Sequence, residues 1–306
     1  MKKTQMQKLY EKVREYDDLL TVPNEVKYAE LHSMRSGIDI LIKEINQFNS
    51  QGYLVLKDVL TEKEMQSIDP IFDHFISGKE QKKMKRDFCD MSQPYGTPFE
   101  EFQLINAMLP GKYMPSFKEN IFYKIAKDIS SQLYKNGKAE MDYEQFLAKK
   151  PSKKGAEFSM HQDLGYWPKT KNTWTATFSL ALSDADVING CLHVIPGSNK
   201  EAELRKHKPK SYSKGEKKPN SERDDSHTLV IESSPNDKVI YLPLKRGDIT
   251  IHDEKIVHGS GGNHSNEWRK TYIIAFRDSE TIKKERLIGF THSHNDKVDW
   301  EKVISI

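Results

Sequence analysis

Phe158-Ser159-Met160-His161-Gln162-Asp163-Leu164-Gly165-Tyr166 sets a histidine and a carboxylate one residue apart, after a short apolar run and before a turn. Along an extended strand, residues i and i+2 point to the same face. His161 and Asp163 can therefore present an imidazole nitrogen and a carboxylate oxygen to one point in space. That is two-thirds of a metal site built from two histidines and one carboxylate, with the remaining positions open. Alone, the pattern is weak: the chain carries a second copy, His294-Asn295-Asp296, and a bare His-x-Asp is more often a surface or turn feature. A third ligand downstream has to decide.

The sequence around this stretch reads as β from residue 156 onward. Thr173 to Leu182 alternates, with Trp174, Ala176, Phe178, Leu180 and Leu182 on one face and Thr175, Thr177 and Ser179 on the other, the pattern of a half-buried strand. Gly190 to Ser198 is a strand closed by Pro196-Gly197. Val239–Leu244 and Ile249–His252, joined by Arg246-Gly247-Asp248, read as a hairpin. Tyr272 to Phe276 is the last clear strand.

The N-terminal part is helical in character. Leu9, Val13 and Tyr16 predict a helical extension over residues 1–37, and Leu41, Ile42, Ile45 and Phe48 form an apolar stripe. Gly52 to Leu60 is strand-like, and Thr61-Glu62-Lys63-Glu64 is a capping box that should start a helix. Residues 78–100 read as a mobile polar loop, and Phe117, Ile121, Ile125 and Ile129 mark one more helix. Tyr143 to Ala148 fits a short strand or helix. Residues 199–227 carry almost no apolar side chains and read as a mobile insertion in a single domain spanning 38–306. Together these elements predict a mainly β fold with flanking helices, a double-sheet barrel or jelly roll.

Composition narrows the function. The 306 residues are 30% charged and 36% hydrophobic, with a formal net charge of +3, too small a balance to argue for nucleic acid. The two cysteines, Cys89 and Cys191, form no disulfide framework and suit a reducing compartment. No run approaches the roughly 18 apolar residues that span a bilayer. Met1 to Lys8 leads into no apolar segment, and Val303-Ile304-Ser305-Ile306 is no peroxisomal address, so a cytoplasmic protein without membrane partners, a monomer or weak oligomer, is expected.

The third ligand should be a histidine on a later strand. Gly247 to Asn263 offers His252 and His258. His258 is followed by Gly259-Ser260-Gly261-Gly262, which lets backbone approach a ligand closely. Eleven residues after it, Arg269 opens an apolar strand, and a guanidinium there suits a bidentate grip on a carboxylate. His252 lies within the hairpin strand and lacks such a partner, so it is the weaker candidate.

At this point the chain resembles the phytanoyl-CoA dioxygenase family of iron(II)/2-oxoglutarate-dependent oxygenases. The resemblance rests on His161-Gln162-Asp163-Leu164-Gly165-Tyr166-Trp167, on Asn189 to Ser198, on Gly247-Asp248 through His258-Gly259-Ser260-Gly261, and on Arg269. It spans roughly residues 38–278. It implies a double-stranded β-helix (jelly roll, cupin-like), with His161, Asp163 and His258 as iron ligands. It also implies Arg269 as the salt-bridge partner of 2-oxoglutarate, Ser260 as its helper and Trp174 as a cofactor-contacting aromatic, for which a plain core role stands equally open. The cofactors implied are Fe(II), 2-oxoglutarate and O2. The reaction implied is oxidation of an unactivated C–H bond with release of succinate and CO2. Halogenating relatives have a small residue in place of the carboxylate, so Asp163 points to hydroxylation, desaturation or ring closure. Substrate choice is not legible. A small polar or amino-acid-derived metabolite is preferred over an acyl-CoA, with Tyr166, Trp167, Gln103 and Asn106 as pocket candidates. The alternatives are a cupin-like isomerase, a non-catalytic jelly-roll binding protein, and a protein or nucleic-acid hydroxylase. Residues 1–37 and 199–227 have no counterpart among the family motifs.

Overall fold

The structure is a computed structural model, and it describes residues 38–93, 96–152, 156–168, 170–209, 229–231 and 234–292. The expected N-terminal helical extension, residues 210–227 of the expected insertion and the second His-x-Asp at His294 lie outside the described residues.

Helix α1 (Ile42–Gln51) runs into strand β1 (Tyr53–Leu56), followed by α2 (Glu62–Ile76). The expected capping box starts α2: Thr61 Oγ1 accepts from the Glu64 amide at 3.4 Å, and the Glu64 carboxylate accepts from the Thr61 amide at 2.7 Å. Next come β2 (Phe88–Asp90), β3 (Leu104–Met108), α3 (Ile121–Leu133), β4 (Ala139–Lys149), β5 (Phe158–His161) and β6 (Thr175–Ala181). The chain continues through β7 (Leu192–Val194), β8 (His207–Pro209), β9 (Leu229–Ile231), β10 (Ile240–Leu242), β11 (Ile249–Asp253), β12 (His258–Ser260), β13 (Arg269–Asp278) and α4 (Ser279–Leu287).

These strands form a seven-stranded sheet in the order β1-β11-β6-β13-β4-β3-β2, a four-stranded sheet in the order β10-β7-β12-β5, and a β8-β9 ribbon. The fold is the mainly β jelly roll with flanking helices that the sequence predicts. Period-2 alternation divides the large sheet into two chemistries. Phe146, Phe178, Leu180, Ile249, Ile251, Tyr272, Ile274 and Phe276 face the main hydrophobic core, which they share with Phe72 and Phe75 of α2 and Ile125 and Ile129 of α3. Phe146 sits at its centre, 4.7 Å from Tyr272 and 5.0 Å from Phe72 between ring centroids. Truncating such a phenylalanine to alanine costs about 3–5 kcal/mol. The opposite face carries Thr177, Ser179, Thr250, His252, Thr271, Gln145 and Lys149, which line a cavity together with Phe158 and His161 of β5, Leu192 of β7 and His258 of β12.

Three expectations need correction. The hairpin between Val239–Leu244 and Ile249–His252 does not form, because β10 pairs with β7 while β11 pairs with β1 and β6, in different sheets. The turn between them redirects the chain. Gly247 adopts φ +89°, and a Cβ there would meet the Leu60 carbonyl oxygen at 2.5 Å. The Asp248 carboxylate accepts from the Asp58 and Lys245 amides at 2.9 and 2.7 Å, locking the corner. Residues 78–100 are not one loop: they include a helical turn (Gln81–Met84) and the buried edge strand β2. Its Asp90 carboxylate accepts from the Ser92 and Leu104 amides, which a composition-based reading overlooks. Tyr143–Ala148 belongs to the 11-residue strand β4, paired on both sides by β13 and β3. No helix among the described residues is long and apolar enough to cross a membrane.

Candidate metal and cosubstrate site

Register builds the metal-binding geometry. β5 and β12 pair antiparallel with His258 directly opposite His161, which puts the two imidazole centroids 4.3 Å apart. Asp163 follows β5 by two residues, after an extended Gln162 (φ −119°, ψ 131°) that keeps the carboxylate on the His161 side. Asp163 Oδ1 lies 3.5 Å from His161 Nε2 and 3.4 Å from His258 Nε2. One ligand atom from each of the three lies within 4.8 Å of the other two. His161 Nδ1 bonds the Ser159 carbonyl at 2.7 Å and His258 Nδ1 the Ile256 carbonyl at 3.0 Å. A carbonyl only accepts, so each Nδ1 carries the proton and each Nε2 turns its lone pair towards Asp163. Two neutral imidazoles and one carboxylate are a donor set that fits iron(II).

Electrostatics agree. Burial opposes ionisation of Asp163, yet His258, His161 and His252 outweigh it and hold the carboxyl well below the usual range. Burial, reinforced by His258, pulls His161 below the ordinary imidazole value, which favours the neutral ligand form.

The weaker sequence candidate, His252, is also here. Its Nε2 lies 3.3 Å from Asp163 Oδ2, and Thr177 Oγ1 donates to the same oxygen at 3.4 Å. One carboxylate oxygen therefore faces the histidine pair while the other is held from the large sheet. His252 Nδ1 is buried without a partner among the described residues.

Arg269 opens β13 and lines the same cavity. Its Nη1 donates to Ser260 Oγ at 2.8 Å and to the Gly190 carbonyl, and its Nη2 donates to Thr271 Oγ1 at 3.2 Å. Its Nε is buried with no partner among the described residues. Burial lowers the guanidinium to about 10, still charged at neutral pH. Gly190 sits so close to the Gly259-Ser260-Gly261 run that a Cβ on it would collide with the Gly261 carbonyl. The cavity is partly open to solvent, and its empty space, that solvent included, is ≈ 840 Å³.

The remaining sequence candidates fall elsewhere. Trp174 does not join the cavity. It stacks on Tyr134 at 4.5 Å and packs against the main core, because it shares the helix-facing side with Phe178 and Leu180. Trp167 is buried against Arg277, 4.2 Å from ring centroid to guanidinium. Tyr166 packs edge-on against the His161 ring at 5.4 Å between centroids and accepts from the Leu229 amide at 2.7 Å, so it borders the donor set without lining the cavity, while Gln103 and Asn106 bond the Glu101 carbonyl and Cys89. The start of the 199–227 segment is tied to the metal-site loop and ends in the short strand β8: Arg205 N donates to Gln162 Oε1 at 2.8 Å, and the His207 ring accepts from the Gln162 amide at 3.0 Å.

The family model for phytanoyl-CoA dioxygenase (PhyH) matches residues 48–271. The mouse peroxisomal phytanoyl-CoA dioxygenase is 30% identical over 42% of this chain and 36% of its own length. A probable phytanoyl-CoA dioxygenase of Caenorhabditis elegans is 22% identical over 84% of this chain and 81% of its own. Among solved structures, EvdO2 from Micromonospora carbonacea var. aurantiaca, complexed with 2-oxoglutarate, superposes with a TM-score of 0.63 at 21% identity, covering 80% of this chain and 94% of that one. The chain belongs to the phytanoyl-CoA dioxygenase family, a family of iron(II)- and 2-oxoglutarate-dependent dioxygenases.

Proposed function

We propose that the protein oxidises an unactivated C–H bond of a small, polar or amino-acid-derived metabolite, using iron(II), 2-oxoglutarate and O2 and releasing succinate and carbon dioxide. One juxtaposition carries the reading: the His161, Asp163 and His258 donor set shares a cavity with Arg269, a guanidinium that meets only neutral acceptors. His161, Asp163 and His258 would hold the iron, which when bound supplies oxidising power that no side chain has. The ionised Asp163 offsets part of a divalent charge, and the carbonyl bonds at both Nδ1 atoms keep the imidazoles aimed. Arg269 fits the far carboxylate of 2-oxoglutarate, leaving its keto-acid end towards the donor set.

Leu147, Leu192, Leu244 and Ile273 give the cavity apolar walls that exclude water. Tyr143, Gln145 and Thr250 add hydroxyl and amide partners, which supports a polar substrate over an acyl chain. The 2-oxoglutarate complex of the structural neighbour EvdO2 supports the cosubstrate. A carboxylate at 163 supports hydroxylation, desaturation or ring closure. The two cysteines are free and buried, which suits a reducing, cytoplasmic setting. The test is succinate release by the iron-loaded protein with 2-oxoglutarate across a library of small metabolites. Stimulation by polar or amino-acid-derived compounds is expected. Stimulation only by acyl-CoA thioesters, peptides or nucleic acids would overturn the substrate class.

A further inference from the structure

Lys149 is the feature of this cavity that nothing so far uses. It is 3% exposed, ends β4, and lies directly across from Arg269 in the β4–β13 ladder. Like charges directly opposite on adjacent strands repel, and burying two cations together costs more still. Such a pair persists only where something compensates it.

Within the described residues the compensation is all neutral. Lys149 Nζ donates to Ser260 Oγ at 2.5 Å, to the Ser260 carbonyl at 3.1 Å and to the Gly261 carbonyl. Arg269 Nη1 donates to the same Ser260 Oγ at 2.8 Å. That hydroxyl accepts from both cations and passes its own hydrogen to the Gly190 carbonyl at 3.0 Å. Glu157 raises the Lys149 ammonium, but as a lesser influence than the burial and the Arg269 charge that lower it. Two cationic groups thus converge on one neutral oxygen at the edge of the cavity, with Arg269 Nε beside them unpartnered among the described residues. A carboxylate offers two charged oxygens where the hydroxyl offers one neutral oxygen, and charge-assisted bonds are roughly twice as strong as neutral ones.

We infer that Lys149 is a second cation for the far carboxylate of the dicarboxylate cosubstrate, acting beside Arg269. The inference rests on the reading of 2-oxoglutarate as cosubstrate. It also accounts for an electrostatic oddity: burial first, and Arg269 second, hold the Lys149 ammonium well below the usual lysine range, a penalty that an anion at this position relieves.

The test compares two keto acids on full-length protein loaded with manganese(II), which holds the site without turnover. 2-Oxoglutarate and 2-oxobutyrate share the keto-acid head, and only the first has a far carboxylate. Calorimetric titration should show wild type preferring 2-oxoglutarate. Lys149→Met should lose about tenfold or more of that affinity, with 2-oxobutyrate binding unchanged within about twofold, whereas Lys149→Arg should keep the preference. Should Lys149→Met not fold, Lys149→Gln serves the same comparison. A Lys149→Met or Lys149→Gln variant that still prefers 2-oxoglutarate as wild type does would overturn the inference. So would equal loss of both keto acids, since that describes a lysine that merely holds the Ser260-Gly261 turn. If wild type itself fails to distinguish the two keto acids, the cosubstrate reading falls as well, which separates the two failures.

Discussion

His258 stands directly opposite His161 in the β5–β12 ladder, so strand register, not loop conformation, sets the spacing of the two imidazoles. The carboxylate between them reaches both Nε2 atoms within 3.5 Å. Replacing any one of His161, Asp163 or His258 with alanine is therefore expected to abolish iron(II) binding and turnover while leaving the thermal unfolding transition in place. Equilibrium dialysis with iron(II) under anaerobic conditions checks this, with His294→Ala as a control expected to bind normally. Normal binding by His258→Ala would show the wrong histidine was chosen.

His252 deserves a larger effect than its sequence context suggests. It holds the Asp163 oxygen that the histidine pair does not face. Partners of this kind, when removed, typically cost about 10- to 100-fold in metal affinity or activity. His252→Ala should weaken iron(II) binding by that order and leave the fold intact. Unchanged iron(II) affinity would reduce His252 to a cavity wall.

Arg269→Lys keeps the charge and loses the fork. The apparent affinity for 2-oxoglutarate should fall roughly 10- to 100-fold, with iron(II) affinity nearly unchanged. Titration of turnover against 2-oxoglutarate measures the shift, and an unaltered dependence would move the anchor elsewhere, to Lys149.

A stability test lies further along the cavity-facing side of β13, where Arg277 Nε donates to Thr175 Oγ1 at 3.3 Å. Arg277 is fully buried, with Nη1 2.7 Å from Asp142 and 2.6 Å from Glu285, and His292 Nε2 bonds the same Asp142 at 2.8 Å. Asp142, Glu285 and His292 also have the spacing of a metal cluster, but the guanidinium already fills their centre. Arg277→Met would strip the buried Glu285 carboxylate of its ion pair and Asp142 of one of its three cationic or imidazole partners, and should cost about 3–5 kcal/mol in urea unfolding. A loss below about 1 kcal/mol would mean that water or rearrangement satisfies the pair.

Much of this was legible in the sequence because it depends on local periodicity. His-x-Asp placed two donors on one face, and the alternation of Thr173–Leu182 separated the helix-facing side from the cavity side. That same alternation puts Trp174 with Phe178 and Leu180, away from Thr177, so its cofactor role was already at odds with the strand pattern. His252 alternates with Ile251 and follows Thr250 by two residues, a signal for the cavity face that the choice of His258 overshadowed. Lys149 could have been found by extending Tyr143-x-Gln145-x-Leu147 by one more step, but its pairing with Arg269 depends on β4 lying beside β13, which local pattern does not encode. The supposed hairpin failed for the same reason: two adjacent strands can belong to different sheets, and only long-range pairing decides.

The central claim is that one cavity binds iron(II) through His161, Asp163 and His258 and 2-oxoglutarate through that iron and Arg269 together. Anaerobic equilibrium dialysis of 2-oxoglutarate against wild type and His258→Ala, each with and without iron(II), tests it most directly. Tight binding is expected only for wild type with iron(II), with binding much weaker in the other three mixtures. Binding that ignores both iron(II) and His258, or no binding to iron-loaded wild type, would contradict the account.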